Sequence, residues 1–146
     1  MQHPSDIPKD HAVLFYDADC MMCSGFAEWI LKQDAKRQLY LAPLLGETSG
    51  AFFKAGAFPY NPQQRLDSVL FIKAGEAQAY QEMTAIVHLL DFLQTRPALH
   101  AFLNAIPVPL DSVLYKLAAK IRLLTKTKPK ASCVLMQPEF RDRLLS

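Results

Sequence analysis

An α/β fold, β-α-β followed by β-β-α with further helices after it, is predicted from three observations. A short apolar run of β-favouring residues, AVLFY (12–16), stops at Asp17 and is followed directly by a helical pattern. LYLAPL (39–44) forms a second such run one helix later. SVLFIKAGEAQAY (68–80) then has the form of a hairpin leading into another helical pattern. The 146 residues fit one domain and are enough to bury a core. With 51% apolar and 21% charged residues the composition is that of an ordinary globular protein, and no repeat or low-complexity tract is present.

The elements follow in order. AVLFY is uninterrupted by polar residues, as a buried central strand should be. Asp19 is placed to cap a helix on which Phe26, Trp29, Ile30 and Gln33 share helical spacing, and Asp34 with the charged AKRQ turn ends it. A helix between the strands at 12–16 and 39–44 makes the pair parallel. Ser49 to Ala55 is expected to be a short helix closed by Gly56, and FPYNPQQ a loop. Strands at about 68–73 and 76–80 are expected to meet in a tight antiparallel hairpin at Ala74-Gly75. Met83, Ile86, Val87, Leu90 and Leu93 trace one face of the next helix. Pro97 suits the first turn of a short helix reaching Ala105. Asp111 caps a last helix whose Leu114, Leu117, Ala118, Ile121 and Leu124 line one face, and the tail ends in a short segment that packs back. The domain reading is an N-terminal tail over 1–11 and one domain over 12–146, with a helical extension from about residue 97. A strand, turn and helix with two cysteines at the helix start, completed by a hairpin and helix, is the thioredoxin-like arrangement.

Several classes are not expected. MQHPSDIPKDHAV has no basic region leading into an apolar core, so it does not read as a secretory signal. Lys116, Lys120 and Arg122 interrupt the most apolar stretch well short of the ~18 residues of a membrane span. A cytoplasmic location is the resulting expectation. A net charge of +2 gives no global field for nucleic acid. Eight basic residues (Lys116, Lys120, Arg122, Lys126, Lys128, Lys130, Arg141, Arg143) follow Val113 against Glu139 and Asp142. No aromatic interleaving or phosphate-binding glycine motif accompanies them, so they read first as a solvated face, and neither nucleic-acid binding nor peripheral membrane contact is the expectation. A third reading is that the basic C-terminal helix docks to a membrane or a protein, with salt-sensitive liposome binding as its signature.

YDADCMMCSGF (16–26) carries Cys20 and Cys23, two of the three cysteines. In a reducing compartment a close pair points to catalysis or metal rather than to a structural staple. Thiol–disulfide exchange needs a thiolate nucleophile and a second thiol to resolve the mixed disulfide, and C-x-x-C on a helical turn puts the two side by side. Cys20, at the helix start, gains from unpaired N–H groups and the helix dipole and is assigned as attacking thiol. Cys23, one turn in, is the resolving thiol. Asp17 and Asp19 oppose thiolate formation at Cys20. Asp17 has two readings, a proton relay to Cys23 or a helix-entry cap, and Asp19 is more simply a cap. Met21 and Met22 offer a soft apolar surface for a substrate, or Met22 packs inward. Phe26 and Trp29 read as core. The competing reading is a non-catalytic binding or scaffold domain whose cysteine pair is structural or holds zinc. It finds only Cys133 and one of His3, His11, His88 or His100 to complete a four-ligand site, with no second close pair. His88, between Val87 and Leu89, reads as an ordinary helix residue. No cofactor is expected, and the partner is a small thiol or a thiol- or disulfide-containing protein.

With these residues in place, the chain resembles the DCC family of predicted thiol-disulfide oxidoreductases, small bacterial proteins related to thioredoxins. VLFYDADCMMC matches the family's strand followed by D-G-x-C-x-x-C through Asp17, Cys20 and Cys23. The similarity continues in FAEWILKQDAKRQLYLAPL, LDSVLFIKAGEAQAY and YKLAAKIRLL, and ends with Cys133 and QPEFRDRLL. The resemblance implies a thioredoxin-like fold, Cys20 and Cys23 as redox pair, and Asp17 as the associated acid. It marks Tyr115, Arg122 and Cys133 as family-pattern positions. Ala18 stands where the family usually has Gly, and Ile121 where a polar residue usually precedes the Arg. Leu66-Asp67-Ser68 occupies the place where many thioredoxin-like proteins carry a cis-proline.

Overall fold

The computed structural model of the chain describes residues 1–18, 21–62, 64, 69–94, 105, 113–118, 120, 121 and 138–146. The apolar run AVLFY becomes strand β1 (Ala12–Tyr16), buried at all five positions. Helix α1 (Met21–Gln33) leads to β2 (Leu39–Pro43), which pairs with β1 in parallel from Ala12↔Leu39 to Tyr16↔Pro43. Helix α2 (Glu47–Lys54) follows, starting two residues before the expected Ser49. Strand β3 (Leu70–Lys73) is antiparallel to β1, β4 (Tyr80–Gln81) is antiparallel to β3, and α3 (Glu82–Leu93) continues from β4. Among the described residues the sheet has four strands in the order β2-β1-β3-β4, so the fold is the expected thioredoxin-like β-α-β / β-β-α arrangement.

Alternation along the central strand divides the core between two faces. Ala12, Leu14 and Tyr16 face a cluster with Ala27, Ile30 and Leu31 of α1 and Ala85 and Leu89 of α3. Val13 and Phe15 face the other way, where Phe15 meets Phe52 of α2 and Phe58 edge-on at 5.3 and 4.9 Å. A sheet covered on both faces explains why β1 has no polar residue. Phe26 and Trp29 stack at 6.2 Å and pack against the α1 cluster, as the core reading required. On α3 the fully buried positions are Ala85, Leu89 and Leu90. Of the expected face, Leu90 is buried and Ile86 and Leu93 pack against the cluster, while Ala85 and Leu89 are more deeply buried than the partly exposed Met83 and Val87.

The hairpin differs from expectation. It pairs antiparallel, but residues 76–79 are not strand and β4 is two residues long. Glu76 ends the ladder: its carboxylate accepts the Lys73 N–H at 3.0 Å, and its own N–H donates to the Lys73 carbonyl at 3.1 Å. Gly75, at φ +84, supplies the left-handed turn residue. The Ala79 N–H is diverted to the Ala57 carbonyl at 2.7 Å. Glu76 also accepts the Tyr80 hydroxyl at 3.0 Å, and burial together with this bond pushes the Tyr80 phenol above its ordinary range. A phenol whose folded pKa is raised adds stability below its unfolded value, about 10, and loses it as pH rises through the folded value. Tyrosinate absorbance is therefore expected to show a late-titrating component that disappears in Tyr80→Phe.

The tail packs back, as expected, and does so at the outer edge of β2. A 3-10 turn over Pro138–Arg143 inserts Phe140 into the α1 cluster. Leu144 then bridges Leu41 in parallel, and the Leu145 N–H donates to the Leu41 carbonyl at 2.8 Å. Arg143 Nη1 lies 2.7 Å from Asp34 Oδ2, with both side chains buried, and Nη2 reaches the Leu31 carbonyl in the last turn of α1 at 3.3 Å. The same Asp34 oxygen accepts the Leu39 N–H at 2.8 Å. The Ser146 carbonyl takes the Thr48 N–H at 2.7 Å in the first turn of α2. A Cβ on Gly46 would meet the Ser146 carbonyl carbon at 2.7 Å, so only glycine fits there. Asp19, Pro97 and the residues to 104 of its expected helix, Asp111, Arg122, Leu124 and Cys133 lie outside the described residues.

Candidate dithiol site

The site stands at the carboxyl end of β1. There the Leu44 N–H closes onto the Tyr16 carbonyl at 2.9 Å, tying the ends of the two parallel strands together. Asp17 follows, 4% exposed. Ala18 is partly buried against the α1 cluster. The described non-glycine residues with a left-handed φ are Asp10, Arg37, Glu82 and Gln94, so Ala18 takes an ordinary φ and the missing family glycine creates no strain. Helix α1 then begins at Met21, and Met21, Met22 and Cys23 belong to its first turn. Cys20, next before Met21 in the chain, lies outside the described residues. The first turn of a helix leaves N–H groups without intrahelical acceptors, and the dipole favours negative charge there. Ala27, Ile30 and Leu31 hold the body of α1 on the sheet, and Arg143 holds its far end.

The amino end of β3 reaches the same edge, because β3 runs against β1 and Leu70 pairs with Phe15. Val69 there is bracketed by two elements: its N–H donates to the Tyr115 hydroxyl at 3.1 Å, and its carbonyl accepts the Glu82 N–H at 3.1 Å. Tyr115, marked earlier only as a family-pattern position, thus fastens the helical residues 113–118 to the sheet edge beside the site. Leu66, Asp67 and Ser68, the place of the usual cis-proline, are outside the described residues. Tyr115→Phe removes one neutral hydrogen bond and is expected to cost about 1 kcal/mol. The local readout is faster hydrogen exchange at the Val69 amide, which Tyr115→Phe should raise while leaving the amides of β1 unchanged.

Two cavities differ in their relation to this edge. One of about 240 Å³ beside the end of β2 is lined by Leu44, Leu45, Gly46 and Phe53 among others, and Leu45 and Phe53 are exposed. Its lining begins at Leu44, whose N–H meets the Tyr16 carbonyl at the end of β1. The larger, about 670 Å³, is lined by Lys9, His11, Lys73 and Glu76 at the opposite end of β1, roughly 13 Å away along the strand. His11 there stacks on Tyr40 at 5.5 Å, and His88 in α3 stacks on Tyr80 at 3.7 Å.

A four-stranded sheet of this order, with a helix leading out of its central strand, has the thioredoxin-like architecture. The family comparison agrees: residues 14–128 match the model of the DCC1-like thiol-disulfide oxidoreductases, and the chain belongs to that family. It is also 30% identical over 133 residues to the uncharacterized protein YuxK of Bacillus subtilis (strain 168), covering 91% of this chain and 93% of that protein. No solved structure matches it.

Proposed function

We propose that this protein exchanges thiols and disulfides through Cys20 and Cys23. The observation that carries the reading is the start of α1 at Met21, directly after Cys20 and with Cys23 in its first turn, at the end of a buried central strand. Written in the reducing direction, the Cys20 thiolate attacks one sulfur of a substrate disulfide, breaking that bond and releasing one substrate thiol. Cys23 then attacks Cys20 Sγ, forming the intramolecular disulfide and releasing the second substrate thiol. Two electrons pass to the substrate, and the two thiol protons leave with its products. A thiol reductant restores the pair, and the reverse sequence oxidises a dithiol substrate. Asp17, buried at the strand end, is in this reading the proton acceptor for Cys23 during resolution. Met21 and Met22, between the two cysteines in the chain, are in this reading the soft apolar residues offered to the substrate.

Covalent trapping tests the proposal. Cys23→Ser incubated with a disulfide substrate is expected to accumulate a mixed disulfide through Cys20, and Cys20→Ser is not. A wild-type protein that reduces no disulfide, with no adduct on either variant, would sink the reading. Stoichiometric zinc released by thiol modification would favour the scaffold reading instead.

A further inference from the structure

None of the described helices is long and apolar enough to cross a membrane. One of them nevertheless carries an unexpected surface. The sequence pattern placed Leu114, Leu117, Ala118 and Ile121 on a single packed face, but all four are exposed. Six large hydrophobic residues are exposed among the described residues, and four of them, Val113 (59%), Leu114 (41%), Leu117 (54%) and Ile121 (50%), stand on this helical segment. At 3.6 residues per turn, Val113, Leu117 and Ile121 fall within about 80° of arc with Leu114 beside them. Tyr115, half-buried and bonded to Val69, lies on the other side of the helix. The segment is therefore docked through Tyr115 and turns its apolar stripe outward. Lys116 and Lys120, both exposed, run along one flank of the stripe.

We infer that this face rests on an anionic lipid surface. A convex apolar stripe flanked by lysines, whose stems extend along the apolar layer while their ammonium groups reach lipid phosphates, is the pattern of an interfacial helix. Charge in the surrounding sequence has the same sign: between Asp111 and Glu139 there is no acidic residue, while Lys116, Lys120, Arg122, Lys126, Lys128 and Lys130 are all basic. A second copy of the chain fits the face poorly, because pairing two stripes would bring the flanking lysines of both copies together. Docked in this way, the Val69 edge of the sheet lies about one helix diameter, ~10 Å, from the lipid.

Co-sedimentation of the full chain with vesicles tests the inference, with phosphatidylcholine vesicles containing phosphatidylglycerol compared with pure phosphatidylcholine. Binding is expected only to the anionic vesicles and should weaken as salt is added. Lys116→Gln with Lys120→Gln should weaken partition about 30-fold. Leu117→Glu with Ile121→Glu should abolish it. All these positions are exposed, so circular dichroism melts should match the wild type. Absence of binding, equal binding to both vesicle types, or binding unaffected by the Leu117→Glu and Ile121→Glu pair would overturn the inference. A concentration-dependent dimer lost in Leu117→Glu would overturn it in favour of self-association.

Discussion

Arg143→Ala is expected to destabilise the fold by about 3–5 kcal/mol in urea unfolding, because it leaves the Asp34 carboxylate buried with its cationic partner gone. The exposed pair a few residues away sets the scale. Arg37 Nη2 lies 2.9 Å from Asp142 Oδ2, and this guanidinium holds the Asp142 carboxyl below the usual range, yet both side chains are more than half exposed. Such a pair contributes little, because water and salt screen it and both side chains lose freedom in forming it. Burial makes the difference, not distance: the Arg143–Asp34 contact is 2.7 Å with side chains 5% and 3% exposed. The intact pair need not stabilise strongly, since both ions lose their hydration and Arg143 Nε is buried with no acceptor among the described residues. What is costly is removing one ion alone. Asp34→Asn keeps an oxygen for the Leu39 N–H and removes the buried negative charge. Arg143→Ala with Asp34→Asn should therefore be less unstable than the sum of the single changes, by about 2 kcal/mol in a double-mutant cycle. A loss below about 1 kcal/mol for Arg143→Ala would mean the pair behaves like its exposed neighbour.

Cys20→Ser is expected to lower disulfide exchange by at least about 10³-fold, to the uncatalysed background, with folding stability unchanged. A serine hydroxyl is not ionised near neutral pH and does not attack a disulfide sulfur, whereas a thiolate at a helix start does. Cys23→Ser should spare the first attack and block only the release of the mixed disulfide, so the two variants fail at different steps. Asp17→Asn separates the roles left open for that residue. As proton acceptor during resolution, it should slow that step by about 10²-fold without affecting the first attack. As a cap alone, it should shift the melting temperature and leave the ratio of the two steps unchanged.

Much of the fold was legible because its signals are local. AVLFY is an unbroken apolar run because it is buried on both sheet faces, and its limits agree with β1 to the residue. The helical spacing of Phe26, Trp29 and Ile30, ended by Asp34, marked α1, and the helix between two strands required their parallel pairing. Hairpin length was not legible. The same residues read as strand until Glu76 is seen accepting the Lys73 N–H and Ala79 donating to Ala57. The cysteine pair was visible as a spacing, and α1 begins at Met21, between its two members.

The sequence by itself determined the order of the elements from β1 to α3, the covered central strand and the start of the first helix within the C-x-x-C stretch. These follow from periodicity, caps and a four-residue motif, all within one or two turns of chain. Only the tertiary structure decided which polar groups meet. Arg143 finds Asp34 across 109 positions, and Tyr115 finds Val69 across 46. It also decided which apolar stripe is left uncovered. On a helix, periodicity shows that Val113, Leu117 and Ile121 share a face, but burial depends on what chain returns to cover it. At β2 the tail returns and buries Phe140, while over the stripe of residues 113–121 half of each large side chain remains open.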